Sequence, residues 1–135
     1  MNEVLKDKDE KILNPKIPRY EKRGSTKLNT SSLTLSQTYT LSDDIEKYDY
    51  LYVIGGADSN YFKASMLIKV SDIVYNNTNN NHSYMLSNYT TAGHFAINFV
   101  FPSKTQIKIL DRNNSGWGNP AITEVYGINL WERIK

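Results

Sequence analysis

His94-Phe95-Ala96-Ile97-Asn98-Phe99-Val100-Phe101 decides the fold class. Successive side chains of an extended chain point to opposite sides, so Phe95, Ile97, Phe99 and Phe101 fall on one face, which should be core. Working outward, the same kind of run recurs as Leu33–Leu41, Tyr48–Gly55, Tyr61–Val70, Ser83–Asn88, Gln106–Asp111 and Ala121–Leu130. Clusters of Asn, Asp, Ser, Gly and Pro separate the runs at the spacing of an all-β sandwich. No segment makes a long helix. A single helical turn is expected at Asp43–Lys47, opened by Ser42 as its cap.

One of these runs differs from the rest. In Tyr48–Ile54, Tyr48, Tyr50, Tyr52 and Ile54 alternate with Asp49, Leu51 and Val53, so both faces are largely apolar or aromatic. Such a strand is central and covered on both sides, or lies at a subunit interface. By contrast, Asn76-Asn77-Thr78-Asn79-Asn80-Asn81 has no side chain able to build a core and reads as an exposed loop. The sequence shows no internal repeat and no coiled-coil heptads.

At 135 residues the chain is about one domain's worth, with a tail. Residues 1–27 hold 8 Lys+Arg and 5 Asp+Glu, so the net charge of +2 conceals a basic leading segment and a domain of net −1. With Pro15 and Pro18 and no sustained period, 1–27 reads as an extended charged arm or connector, and 28–135 as the β-sandwich binding domain. A basic patch on the folded domain itself would suit nucleic acid, and none is expected here. No apolar run nears the ~20 residues of a membrane helix, and MNEVLKDKDEK lacks the apolar stretch of a signal peptide, so no membrane insertion is expected. With no cysteine there is no disulfide framework or thiolate site, which fits synthesis in a cytoplasm.

Catalysis would require a positioned base, nucleophile or metal cluster. His82 borders the Asn-rich loop and His94 begins a strand, without metal-ligand spacing. Asp58, Asp72, Asp111 and Glu124 are scattered and form no arguable glycosidase pair. Asp43-Asp44 accompanies the expected helical turn. Ser115, in a glycine-rich loop, lacks a strand–turn–helix context. No catalytic residue, metal site or cofactor is therefore expected. What remains is ten tyrosines and two tryptophans interleaved with Asn, Ser and Thr. Flat aromatic faces can stack on sugar rings, and amides or hydroxyls can match sugar hydroxyls. Many of the tyrosines equally fit plain packing at strand positions.

Three segments carry a family resemblance. Leu41-Ser42-Asp43-Asp44-Ile45-Glu46-Lys47-Tyr48-Asp49-Tyr50-Leu51-Tyr52-Val53 resembles the opening of many carboxy-terminal domains of phage tail fibres and related prophage proteins. Met66-Leu67-Ile68-Lys69-Val70-Ser71-Asp72-Ile73 is similar to their following strand, with Lys69 where proline is usual. Ser115-Gly116-Trp117 with Ile122-Thr123-Glu124-Val125-Tyr126-Gly127-Ile128 resembles their closure, beyond which Leu130–Lys135 runs on. Val4–Pro15 is also similar to an opening seen in tail and baseplate proteins.

The resemblance implies a jelly-roll-like antiparallel β-sandwich, a homotrimer at the tip of a fibre or on a larger tail protein. It would be made in the bacterial host cytoplasm, carried on the virion, and would contact host surface polysaccharide or another receptor. An alternative partner is another phage tail or virion protein, the chain then being a decoration or assembly component. A depolymerase would require a carboxylate pair that is not evident. Candidate ligand-binding loops are Asp58–Tyr61, Asn76–His82 and Asn113–Asn119. Trp117 is the expected stacking platform, Tyr61 and Tyr75 are secondary platforms, and Asp58, Asn60 and Asn114 are expected to bond sugar hydroxyls.

Overall fold

The alternating phenylalanines lie in a ten-residue strand, and two antiparallel sheets close over the face they share. The computed structural model describes residues 19–22, 24–34, 36–58, 61–77 and 82–134, the segments 19–22 and 131–134 by their strand pairing. In chain order the strands are β1 (Arg19–Lys22), β2 (Ser25–Lys27), β3 (Thr38–Thr40), β4 (Tyr50–Ala57), β5 (Phe62–Lys69), β6 (Tyr84–Tyr89), β7 (His94–Ser103), β8 (Gln106–Ser115), β9 (Ala121–Ile128) and β10 (Trp131–Ile134). The first sheet runs β2-β9-β4-β5 and the second β3-β8-β7-β6, while β1 and β10 form a two-stranded ribbon. The expected all-β sandwich is therefore what the chain forms. Early strands pair with late ones, β2 with β9 and β3 with β8, which gives the jelly-roll character. The β4-β5 hairpin and the β6-β7-β8 meander fill the middle locally.

Phe95, Ile97, Phe99 and Phe101 are fully buried and meet Leu51, Val53 and Val125 from the opposite sheet in one core. As the two-faced apolar pattern of Tyr48–Ile54 implies, β4 is central, flanked by β5 and β9. Its inner residues Leu51 and Val53 are buried, and Tyr50, Tyr52 and Ile54 lie half-exposed on the outer face.

Several boundaries differ from the pattern in the sequence. Leu33–Leu41 is not one strand. Leu33 makes a single bridge to Ile122 on the first sheet, the chain turns at Ser36 with φ at 62°, and only Thr38–Thr40 joins the second sheet. Alternating side chains can suggest a strand, but this stretch spends itself crossing between sheets. Ser25–Lys27, within the arm as read from composition, pairs along β9. The helical turn is a 3-10 turn at Ile45–Lys47. Its cap is Asp44, whose carboxylate accepts the Glu46 N–H at 2.8 Å, while Ser42 instead bonds back to Lys27 and Leu28.

β8 runs four residues past the expected Asp111. A bulge opposite Asn98 and Phe99 leaves Leu110 unpaired and inverts the alternation beyond it, so Arg112 and Asn114 stand opposite Ile97 and Phe95. Both are satisfied by the β8–β9 crossing, Arg112 donating to the Pro120 carbonyl and Asn114 to that of Trp117. A second bulge, at Thr123 opposite Ile54 and Gly55, is held by Asn29. This amide is only 5% exposed. It accepts the Val125 N–H at 2.8 Å and donates to the carbonyls of Thr123 and Ser31 at 2.9 Å. Burial of an amide is tolerated when its bonds are made in this way.

Gly127 has a different role. A Cβ built there would lie 2.6 Å from the ring of Tyr48, so the missing side chain is what lets that ring rest on β9. Gly127→Ala should therefore cost about 1–3 kcal/mol by overpacking. In a Tyr48→Ala background the same change should cost much less, giving a clear coupling in urea-unfolding double-mutant cycles. Asn29→Ala leaves the Val125 N–H without its acceptor and should lower stability by about 1–3 kcal/mol in the same assay.

Candidate pocket at the 3-10 end of the sandwich

An aromatic-walled concavity lies where β4 begins and β5 and β9 end. It has a volume of about 600 Å³. The second 3-10 turn, Val70–Asp72, ends β5, and its buried Val70 together with Ile73 provides an apolar lining. Tyr75, Tyr50 and Tyr48 supply aromatic walls, and Leu130, just past β9, closes another side. Glu46, Asp49, Lys69 and Ser71 add carboxylates, an ammonium and a hydroxyl.

Local bonds fix this arrangement. The Asp44 cap orients the first 3-10 turn, and Glu46 within it accepts the Tyr75 hydroxyl at 2.9 Å. Asn129 holds the turn against the end of β9. Its Oδ1 accepts the Asp49 N–H and its Nδ2 donates to the Lys47 carbonyl, both at 3.0 Å. The Asp49 carbonyl in turn accepts the Val70 N–H at 3.0 Å, joining the two turns. Tyr48 lies flat on Gly127 and donates its hydroxyl to Asp43 at 2.9 Å.

The electrostatics follow from these partners. The Lys47 ammonium, 3.0 Å away, is the main reason the Asp43 carboxyl ionises more readily than usual, helped by the Asp44 N–H and the Tyr48 hydroxyl. The ion pair moves Lys47 upward in return. Burial raises Tyr48. Burial first, and then the bond to and charge of Glu46, push Tyr75 well above the ordinary phenol range. Tyr75 therefore remains a hydrogen-bond donor across the physiological range, and its ring is held in place by its own hydroxyl.

Of the residues expected from sequence, Tyr75 alone lines this pocket. Asp58, Tyr61, Asn114 and Trp117 gather at the opposite end of β4, about 25 Å away at ~3.3 Å per residue. Asn60 lies outside the described residues, as do 78–81 of the Asn-rich loop. The loops Asp58–Tyr61 and Asn113–Asn119 do come together. Asp58, at a φ of 52°, accepts the Gly118 N–H and donates its own N–H to the Gly118 carbonyl, both at 2.7 Å.

That junction is mainly structural. Trp117 is 6% exposed, stacked on Phe62 at 3.9 Å and an interplanar angle of 4°, with Gly93 close against its indole. So little of the ring reaches solvent that it does not present a stacking face. The sequence placed it in a glycine-rich loop and did not show that Gly93 and Phe62 converge on it. The side-chain amide of Asn114 is given to the Trp117 carbonyl, and Asp58 is committed to Gly118. Tyr61 is different. It is 80% exposed and touches Phe62 edge-on, so its ring is open to solvent.

Sequence reasoning missed Glu46, Asp49, Tyr50, Lys69 and Ser71 as a site. Tyr50 belonged to the two-faced strand whose excess of aromatics was the available signal. The others meet only because two turns separated by β4 and β5 close on each other. Among the described residues no group of three His, Asp or Glu could hold a metal ion. No protein-family model matches the chain, and the curated proteins contain no match to it.

The Tyr75 shift has a defined sign. The group is protonated more firmly in the folded chain than in the unfolded one, so its contribution to stability is complete below the ordinary phenol value of 10.0 and is lost as pH rises above it. Urea midpoints between about pH 9 and pH 11 should fall more steeply for the wild type than for Tyr75→Phe.

Proposed function

We propose that this domain is a non-catalytic attachment module that binds a bacterial surface glycan in the pocket between the two 3-10 turns, as part of a phage tail fibre or related virion protein. The observation that carries the reading is the pocket wall. Tyr75, Tyr50 and Tyr48 stand around an apolar floor, with Glu46, Asp49, Lys69 and Ser71 at its margins. Sugar rings offer apolar C–H faces and a periphery of hydroxyls, which aromatic walls and a polar margin complement. The sequence resemblance to tail-fibre tips supplies the biological setting, including virion localisation and a homotrimer. Repetition of a weak site in such an assembly converts modest single-site affinity into firm attachment.

A second reading is that the chain is a virion assembly or decoration protein whose ligand is another phage protein. The β1–β10 ribbon favours it, since both strands pair only with each other among the described elements and their outer edges are open to a further strand. Binding of purified bacterial surface polysaccharides, followed by calorimetry, separates the two. On the glycan reading Tyr75→Ala and Tyr50→Ala each weaken binding by roughly tenfold, or about 1.4 kcal/mol, while Tyr61→Ala at the other end has no effect. Loss confined to Tyr61→Ala moves the site to the opposite end. No polysaccharide binding, with capture of tail proteins by the wild-type chain, replaces the glycan reading with the second.

A further inference from the structure

We infer that the ligand is an anionic polysaccharide chain whose charged groups are held on the outer face of the first sheet. The inference rests on the glycan reading for the chemistry of the ligand and adds a surface outside the pocket. What carries it is the position of the uncommitted cations. Among the described side chains, Lys47 and Lys104 are paired with Asp43 and Asp44 at 3.0 and 3.3 Å. Arg112 donates to the Pro120 carbonyl, and Lys108 donates to Asn77. Lys27, Lys63 and Lys69 are exposed, and their ammonium groups have no hydrogen bond or ion pair among the described residues.

Strand register puts these three lysines on one face. Lys27, Tyr126, Tyr52 and Leu67 form a row across β2, β9, β4 and β5. The next row toward the pocket is Ser25, Ile128, Tyr50 and Lys69. On the other side come Glu124, Ile54 and Ser65, with Lys63 beyond them on β5. Glu124 accepts the Tyr126 hydroxyl and is the single carboxylate in these rows. The face therefore carries three lysines against one glutamate, whereas residues 28–135 as a whole sum to −1. The outer face of β6-β7-β8 offers the contrast, since Asp111 is taken up by Asn98 and Lys108 by Asn77.

The spacing selects the kind of anion. Lys63 and Lys69 lie six residues apart on β5, about 20 Å, and Lys27 lies three strands away, about 14 Å. No small anion reaches across such distances, but an extended chain does. Between the lysines Tyr52 and Tyr126 stand directly opposite each other, and Leu67 beside them is 59% exposed. These give sugar rings flat and apolar contact between one charged group and the next. A single-stranded nucleic acid also stacks on aromatic rings, but it brings a phosphate every ~3.4 Å and would call for a much denser array of lysines. Tyr50 and Lys69 also line the pocket, so a chain crossing the face can enter it. Glu46 and Asp49 in the pocket repel anions, which places a neutral sugar inside and the charged ones on the sheet.

Calorimetry on the full chain tests this with three probes of similar length. Alginate oligosaccharides carry carboxylates, purified wall teichoic acid carries phosphates, and dextran oligosaccharides are neutral. At least one acidic probe should bind roughly tenfold more tightly than dextran, and the stronger of the two names the anion. Its affinity should fall roughly tenfold between about 50 and about 500 mM sodium chloride. Lys27→Gln and Lys63→Gln should each weaken it by about threefold, and Lys108→Gln on the opposite sheet should leave it unchanged. Circular dichroism should be the same for all of these proteins. Dextran bound as tightly as the acidic probes, no binding of either acidic probe, or lysine variants that bind like the wild type overturns the inference. Tighter binding of oligo-dT that is lost in the same variants does so as well, by giving the face to nucleic acid. Tyr75→Ala separates the inference from the pocket. Acidic-probe binding that survives Tyr75→Ala but falls in the lysine variants keeps the inference and removes the pocket, and loss in Tyr75→Ala alone does the reverse.

Discussion

The ring of Tyr48 lying on the bare backbone of Gly127 is the constraint on which this end of the molecule depends. It fixes where the first 3-10 turn stops and β4 begins, and therefore the direction in which Asp49 and Tyr50 leave the turn. Asn129 can then reach both Asp49 and Lys47, and Glu46 is carried to the hydroxyl of Tyr75. The pocket is thus the outcome of a single close approach between strands whose residues are far apart in sequence. Its walls are held by hydrogen bonds to backbone and to each other, which limits the reorganisation needed to receive a ligand.

The two ends of the sandwich have solved different problems. At the Trp117 end, loops are drawn inward. The indole is stacked on Phe62, the Arg112 and Asn114 side chains satisfy carbonyls of the crossing, and Asp58 closes a reciprocal pair with Gly118. At the other end the two turns meet around a concavity with mixed polar margins. Glycine contributes to both, admitting an aromatic ring at Gly93 and at Gly127.

The fold was legible where one face of a strand had to be buried. Phe95 to Phe101 and Tyr48 to Ile54 each announced their position through period alone, because burial selects residue type at every second site. The site was much less legible. Trp117 stood among Asn, Ser and Gly, a setting typical of an exposed loop, yet two nonlocal neighbours enclose it. Asn29 lay beside the charged arm and gave no sign that it would hold a bulge. Glu46, Asp49 and Lys69 are ordinary surface residues in sequence, and only the closing of two short turns makes them neighbours. Bulges add a further obscurity, since the extra residue at Leu110 reverses which side chains of β8 face inward, and no periodic reading anticipates that reversal.

The nested pairing of early with late strands also bears on how the molecule is made. β4 takes β9 as one of its two neighbours, and β9 is synthesised only after the whole of β5 to β8. Until then the β4-β5 hairpin has an open apolar edge, and β2 has no partner in its sheet. The β6-β7-β8 meander needs only local contacts and can form earlier. Nonlocal closure of this kind is slow and exposes strand edges while it waits. Synthesis rate and chaperone access in the interval between the making of β5 and that of β9 are therefore the conditions on which the yield of folded protein turns.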